Sequence, residues 1–334
     1  MFAGKRLAAL ADHLELLGQR FETKLTEAAQ LPAGLSPSQW SQIAEVPARL
    51  DRIEQRLEEI VQYFAHHLAV ISNSQSTYLG DQTALTRLRS GQSIYVDTRS
   101  VDLGSHLLQT GLWEEGYMKL FSRLIRPDDT VLDIGANHGV YSMAAALAAG
   151  PRGAIHAFEP NSRLARLVRG SLAINGYGGF AQVHQVAVSD AEGETILSFD
   201  PAWSGGGHIG EGGGGHEREA QPCRVVRIDD LFPDTAFRAD VIKMDVEGFE
   251  GRAIRGMLRL LERSSTVKMM MEFAPAMMGR SGVTAEETVR MLRQLGFRFW
   301  SIHHDGSIVP EPVVDCAVGP DTVRNILVSR QDID

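Results

Sequence analysis

Four acids, Asp133, Glu159, Asp245 and Glu272, each stand at the end of a short apolar run. The runs are TVL before Asp133, AIHAF before Glu159, ADVIKM before Asp245 and VKMMM before Glu272. In an open α/β sheet such strand ends meet on one edge, where ligands bind. Acids gathered there can remove a proton, hold a divalent cation, or cap helices and take up an ammonium group. Asp245 and then Glu272 are the first candidates for general base, and the same two are the candidate cation ligands. Glu247 and Glu250, in the VEGFE run after Asp245, also fit helix capping.

The turn between the first acid and the next helix narrows the ligand. Residues 130–142 read TVLDIGANHGVYS, a strand, a tight turn from Gly135 to Gly139, and a helix from Val140 to Ala149. A dinucleotide fingerprint G-x-G-x-x-G needs its middle glycine for close approach of a pyrophosphate. Here that position is Asn137, which disfavours NAD and FAD. S-adenosylmethionine (SAM) has no phosphate. Asp133 suits its cationic head, and the backbone of Gly135 and Gly139 can pass beside its ribose and methionine chain. Glu159 follows the glycine turn by about twenty residues, where such folds grip ribose hydroxyls with a carboxylate. Asn161 stands beside it, and Ala187 or Ser189 is expected to line the adenine.

The elements that must position these residues follow from the rest of the 334-residue chain, 43% hydrophobic and 22% charged. A net charge of −9 without a Lys/Arg-rich run speaks against a nucleic-acid substrate. Cys223 and Cys316 lie far apart, with neither a zinc motif nor a disulfide framework. Acids interrupt the apolar start of the chain, no run approaches a membrane span, and the expected compartment is the cytoplasm. Residues 1–75 are read as a helical region. Leu7, Leu10, Leu14, Leu17, Phe21 and Ala28, then Leu50, Ile53, Leu57, Ile60, Phe64 and Ile71, keep an a/d spacing around a Pro-rich break. Such helices can form a hairpin, pair with a second copy in a homo-oligomeric coiled coil, or pack on the rest of the chain.

Residues 76–334 are read as the catalytic domain. It begins with a hairpin over 84–89 and 93–97 and a helix over 113–125 that can cover the ligand site. Val183 to Val188 is a third strand, Phe297 to His303 a sixth and Val323 to Ser329 a seventh. Met269, Met270 and Met271 are read as core. Residues 204–216, SGGGHIGEGGGGH, are read as a Gly-rich loop, either a flexible excursion or a lid that brings His208 or His216 to the acceptor. One histidine of His303 and His304 is a further candidate to face the acceptor.

Together VLDIGANHGVYS, HAFEPN, AVSD, DVEGFE and MEFAP resemble the FkbM family of SAM-dependent methyltransferases, from about residue 83 to the C-terminus. The resemblance implies a class I methyltransferase fold, a seven-stranded Rossmann-like α/β sheet with an antiparallel last strand and helices on both faces. It implies O-methylation of hydroxyls on sugars of surface glycans or on polyketide-type metabolites. It carries Asp133, Gly135, Asn137 and Gly139 to the SAM turn, Glu159 to the ribose, and Asp245 with Glu247 to the site after the fourth strand. Transfer to nitrogen or protein, a SAM-binding scaffold without catalysis, and an NAD oxidoreductase are the competing readings.

Overall fold

The computed structural model describes residues 46–73, 76–209, 218–314, 316 and 323–333, with Thr23 and Ser36. The chain divides into two compact units, Met1–His67 and Leu68–Asp334. In the first unit the apolar run from Leu7 to Ala28 lies outside the described residues. The second run lies on helix α1, Val46–Asn73, where Ile53, Leu57, Ile60 and Phe64 form an exposed apolar stripe.

The second unit opens with strands β1 (Thr77–Gly80), β2 (Thr83–Arg87) and β3 (Ser93–Asp97), an antiparallel sheet that contains the expected hairpin. Helices α2 (Leu103–Thr110) and α3 (Glu115–Leu124) lead to β4 (Thr130–Ile134) and α4 (Val140–Ala149). Next come β5 (Ala154–Phe158), α5 (Ser162–Ile174), β6 (Ala181–His184), β7 (Ala187–Val188), β8 (Gly193–Asp200), β9 (Trp203–Ile209) and β10 (Glu219–Val226). The chain continues through α6 (Ile228–Leu231), β11 (Val241–Met244), α7 (Glu250–Arg255), α8 (Leu258–Arg263), β12 (Lys268–Phe273), α9 (Pro275–Arg280) and α10 (Ala285–Gln294). Strands β13 (Arg298–Ile302), β14 (Ile308–Pro310) and β15 (Arg324–Ser329) close the described fold.

The main sheet runs β14-β13-β15-β12-β11-β4-β5-β6. Its β12, β11, β4, β5 and β6 are parallel, and β15 is antiparallel to both β12 and β13. This is the expected class I methyltransferase sheet, seven strands with the last inserted antiparallel, extended at the edge by β14. Both faces are covered, so the central strands alternate between two cores rather than between core and water. Leu132, Ile134, Ile242, Met244, Met269 and Met271 face one core, and Val131, Val241, Met270 and Leu327 the other. The methionine run is therefore core on both sides.

Two expectations need correction. The run Val183 to Val188 is not one strand, because β6 ends at His184 and β7 leaves the main sheet to pair in parallel with β10. Nor are residues 204–209 a loop: they lie in β9, paired antiparallel with β8 in a second sheet of order β7-β10-β8-β9. The ladder to β8 supplies the hydrogen bonds that glycine side chains cannot, and an edge strand tolerates glycine best. Residues 210–217 lie outside the described residues.

Candidate active site

The turn after β4 is shaped by contact with the strand beside it. Gly135 has φ +84, and a Cβ there would stand 1.7 Å from the Asp245 carbonyl oxygen, so the two strand ends touch through backbone. Only glycine meets both conditions. Gly139, at φ +83, packs its Cα toward Val168 of α5. Between the touching strand ends and the β8-β9 hairpin lies a cavity of about 240 Å3.

Asn137 lines this cavity at φ +51, a left-handed conformation uncommon without glycine. Its side-chain oxygen lies 2.7 Å from His138 Nδ1, and His138 Nε2 accepts the backbone N–H of Asp97 at 3.2 Å. Since Nε2 accepts, the ring proton sits on Nδ1 and is donated to Asn137. Burial pushes His138 down to about 4, which keeps the ring neutral and this tautomer in place. The Asn137 N–H in turn donates to Glu159 Oε2 at 2.7 Å, and the Asn161 N–H to Oε1 at 2.8 Å. Burial raises Glu159 to about 7 against these two hydrogen bonds. Each oxygen keeps a lone pair for a ligand hydroxyl. Asn161 caps α5, its side chain accepting from the N–H groups of Arg163 and Leu164, and also reaches the cavity wall.

The opposite wall is built around a buried cation. Lys243 of β11 is 1% exposed, and its Nζ stands 3.2 Å from Asp245 Oδ2 and 4.9 Å from the centre of the Tyr141 ring. Tyr141 donates its hydroxyl to Glu114 Oε2 at 2.7 Å. Burial lowers the lysine pKa, but Asp245, Glu114, Glu272 and Asp133 outweigh it, and the group is held protonated above its usual range. Burial, then Asp245 and Glu250, pushes Glu247 up to about 8. Glu272 is raised by burial and by the neighbouring acids Asp245, Glu247 and Glu250. Its Oε2 is buried and has no hydrogen-bond partner among the described residues. Among the described residues six non-glycine positions have positive φ, and three of them, Glu114, Asn137 and Glu247, line the cavity, so backbone strain is concentrated there.

The two sheets thus bring Gly135, Asn137, Glu159, Asn161, Ala187, Asp245, Glu247 and Glu272 around one cavity, on its wall. Asp133 and Gly139 are not on that wall. Asp133 is 1% exposed beneath it, accepting the Ser142 hydroxyl beside Lys243, and burial raises it to about 6. Glu250 accepts the N–H groups of Val246 and Gly248, which holds the turn that presents Glu247. Neither His303 nor His304 lines the cavity; His304 Nδ1 lies 3.3 Å from the Tyr117 hydroxyl. The side chain of His208 and all of His216 lie outside the described residues. Among the described residues no group of three or more His, Cys, Asp or Glu is arranged to hold a metal ion.

Sequence reading missed Lys243, Glu114, Tyr141 and Asp102 on this wall. A signal existed for Lys243. It is a lone lysine inside an apolar strand, two residues before the strand-end acid and hence on the same face. Asp102 carried none, because beyond its neighbour Ser100 its carboxylate is held by Ser204 and Gly205, about a hundred residues away in the chain.

Residues 133–299 match the model of the methyltransferase FkbM domain, half of the chain. This chain belongs to the FkbM methyltransferase family. A curated relative, the AMB antimetabolite synthetase AmbE of Pseudomonas aeruginosa, is 28% identical over 236 residues, 59% of this chain. The chain spans only 11% of that relative's length. Among solved structures, a SAM-dependent O-methyltransferase from Thermotoga maritima aligns with TM-score 0.38 at 12% identity, over 78% of this chain and 87% of that one. The O-methyltransferase TomG of Streptomyces achromogenes, solved with SAM, aligns with TM-score 0.36 at 14% identity, over 64% and 78% of the two chains. In this methyltransferase the strand ends that carry Glu159, Asp245 and Glu272 all fall within the matched residues.

Proposed function

We propose that this methyltransferase transfers the methyl group of SAM to a hydroxyl of a sugar, in a surface glycan or a glycosylated metabolite. The observation that carries the proposal is the Lys243–Asp245 pair opening on the same cavity as the Asn137–Glu159 turn. The wall fits SAM and not a pyrophosphate: Asp102, Glu114, Glu159, Asp245, Glu247 and Glu272 face the cavity against one lysine. Such a wall disfavours two phosphates, and the raised carboxyls of Glu159, Glu247 and Glu272 gain a reason to ionise when a sulfonium and an α-ammonium group enter. Glu159 and Asn137 would hold the ribose, Gly135 the methionine chain, and Ala187 the adenine edge. Asp133, below the wall, would act through the turn rather than by direct contact.

SAM, when bound, supplies an electrophilic methyl on sulfur, so this chain must align the acceptor oxygen and remove its proton. Asp245, held by Lys243 and partly open to the cavity, receives that proton. The lysine ammonium beside it stabilises the negative charge that develops on the oxygen. Glu272, Glu247 and Asp102 offer carboxyl groups to neighbouring hydroxyls, and Trp113 lends an indole to the same wall. Carboxyl groups beside an aromatic face suit a polyol. The excess of acids on the wall also favours a second reading, an acceptor amine, which assay of amino sugars against neutral sugars separates.

Calorimetric titration is the first test. Wild-type protein is expected to bind SAM, and Glu159→Ala to weaken it by about 10²-fold through two lost charge-assisted hydrogen bonds. A protein that binds NADH and ignores SAM overturns the proposal. Because the Lys243 ammonium already stands beside Asp245, activity is expected to survive EDTA; loss restored by Mg2+ favours a cation held by Asp245 and Glu272 instead.

The exposed stripe Ile53, Leu57, Ile60 and Phe64 on α1 supports self-association through the N-terminal helices. Light scattering on the full chain at micromolar concentration is expected to give an oligomer that Leu57→Asp dissociates. A monomeric wild type removes this part of the reading.

A further inference from the structure

We infer that His138 is the positioning residue of the cofactor turn, coupling strand β3 to the backbone of Asn137 and the carboxylate of Glu159, and so setting affinity for the cofactor. The inference rests on reading the cavity as the SAM site, and it goes beyond that reading because β3 precedes the family-matched residues 133–299.

The hydrogen bonds around His138 close a ring. The Asp97 N–H donates to His138 Nε2, His138 Nδ1–H to Asn137 Oδ1, and the Asn137 N–H to Glu159 Oε2. From the other oxygen of Glu159 the ring passes through the Asn161 N–H to the Asn161 side chain, which accepts the Arg163 N–H at 3.0 Å. Arg163 Nε then donates to Asp97 Oδ2 at 2.6 Å, returning to β3. The carboxylate assigned to the ribose lies inside this ring, gripped from both sides.

His138 makes two links of the ring with one planar group. It is fully buried, and both ring nitrogens are engaged, one as acceptor and one as donor. What it holds is a conformation that L-residues adopt rarely: the left-handed region is sterically disfavoured, and the hydrogen bond to the side chain offsets that. Freed from His138, Asn137 can leave φ +51, and its N–H then swings away from Glu159. Any buried histidine pairs its nitrogens; this one pairs them with the β3 backbone and with the side chain of the left-handed residue whose N–H reaches Glu159.

The test is a double-mutant cycle read by SAM affinity and by kinetics. His138→Phe keeps the ring and removes both nitrogens. It is expected to raise Kd and KM for SAM by about tenfold while kcat changes less than about twofold, the signature of a lost positioning contact. Asn137→Gly accepts φ +51 unaided and keeps the N–H that reaches Glu159. In that background His138→Phe is expected to cost less than about twofold, because there is no longer a side chain to hold. Equal losses in both backgrounds, with equal falls in melting temperature, overturn the inference and leave a packing role. So does an unchanged Kd for His138→Phe in a wild type that binds SAM. His138→Leu, which removes both nitrogens with a smaller apolar side chain, gives the same reading should the phenylalanine variant fail to fold. A wild type that does not bind SAM overturns the functional proposal itself, and the inference falls with it.

Discussion

Replacing Lys243 by methionine is expected to lower kcat by about 10²- to 10³-fold, with KM for SAM changing less than about threefold. The size follows from what the ammonium does at the site. Taking a charged amine out of water costs several kcal/mol, and Asp245, Glu114, Glu272 and Asp133, with the Tyr141 face, together outweigh that cost. A methionine of similar length would fill the space beside Val241 and Tyr141, but it leaves the buried Asp133 and its neighbour Asp245 without their cation, so folding stability is expected to fall by about 3 kcal/mol and the kinetics are read on protein shown to be folded. A buried lysine that also lines the cavity is explained by charge developing near Asp245 during transfer. Without it, Asp245 loses its only ion-pair partner among the described residues and the acceptor oxygen loses a donor. Steady-state kinetics with both substrates varied checks the split. A variant with wild-type kcat, or one whose loss is all in KM for SAM, would remove Lys243 from the chemistry. Lys243→Arg keeps the charge and is expected to recover part of the rate, because a guanidinium is wider than the space beside Tyr141 allows.

The second large effect concerns Gly135→Ala. The added methyl would meet the Asp245 carbonyl oxygen at 1.7 Å, and the backbone there has φ +84. The contact is backbone on both sides, so no flexible side chain can yield; β4 and β11 must separate at their ends. A cost of roughly 3 kcal/mol or more is expected, a fall in melting temperature of about 10 °C for a unit of this size. The chemical consequence is larger than the thermal one. The separation moves Asp245 and Asn137 apart, the two walls of the same cavity, and SAM binding is expected to be lost to calorimetry even where the protein remains folded. Melting within about 2 °C of wild type together with unchanged SAM affinity would show that the two strand ends do not touch.

Much of this site was legible in the chain because its chemistry sits on regular elements. Strand ends are marked by apolar runs that stop, and the acids at those stops reach one edge by the geometry of a parallel sheet. Glu159, Asp245 and Glu272 came to the cavity wall for that reason. Residues that reach the wall from outside a strand end were less legible. Glu114 arrives in a left-handed turn before α3, and Asp102 through bonds to Ser100, Ser204 and Gly205. The glycine-rich segment misled for a related reason. Composition reports how freely a chain can move, whereas β9 exists because β8 lies alongside to pair with it.

The sequence by itself determined the main-sheet strands β4, β5, β11, β12, β13 and β15, the glycine turn with Asn137 in place of a glycine, and the acids at the strand ends. Each is a local property, carried by the periodicity of apolar residues or by the conformational needs of one position. Only the tertiary structure decided which side each charge faces and what it meets there. Asp133, first in the sequence motif, lies beneath the wall beside Lys243, while Asn137 is held through His138 by a strand forty residues earlier, at Asp97. Those outcomes depend on contacts between segments far apart in the chain, and on the burial that lifts Glu159 and Glu247 and neutralises His138. Burial exists only once the sheet has closed over its two cores.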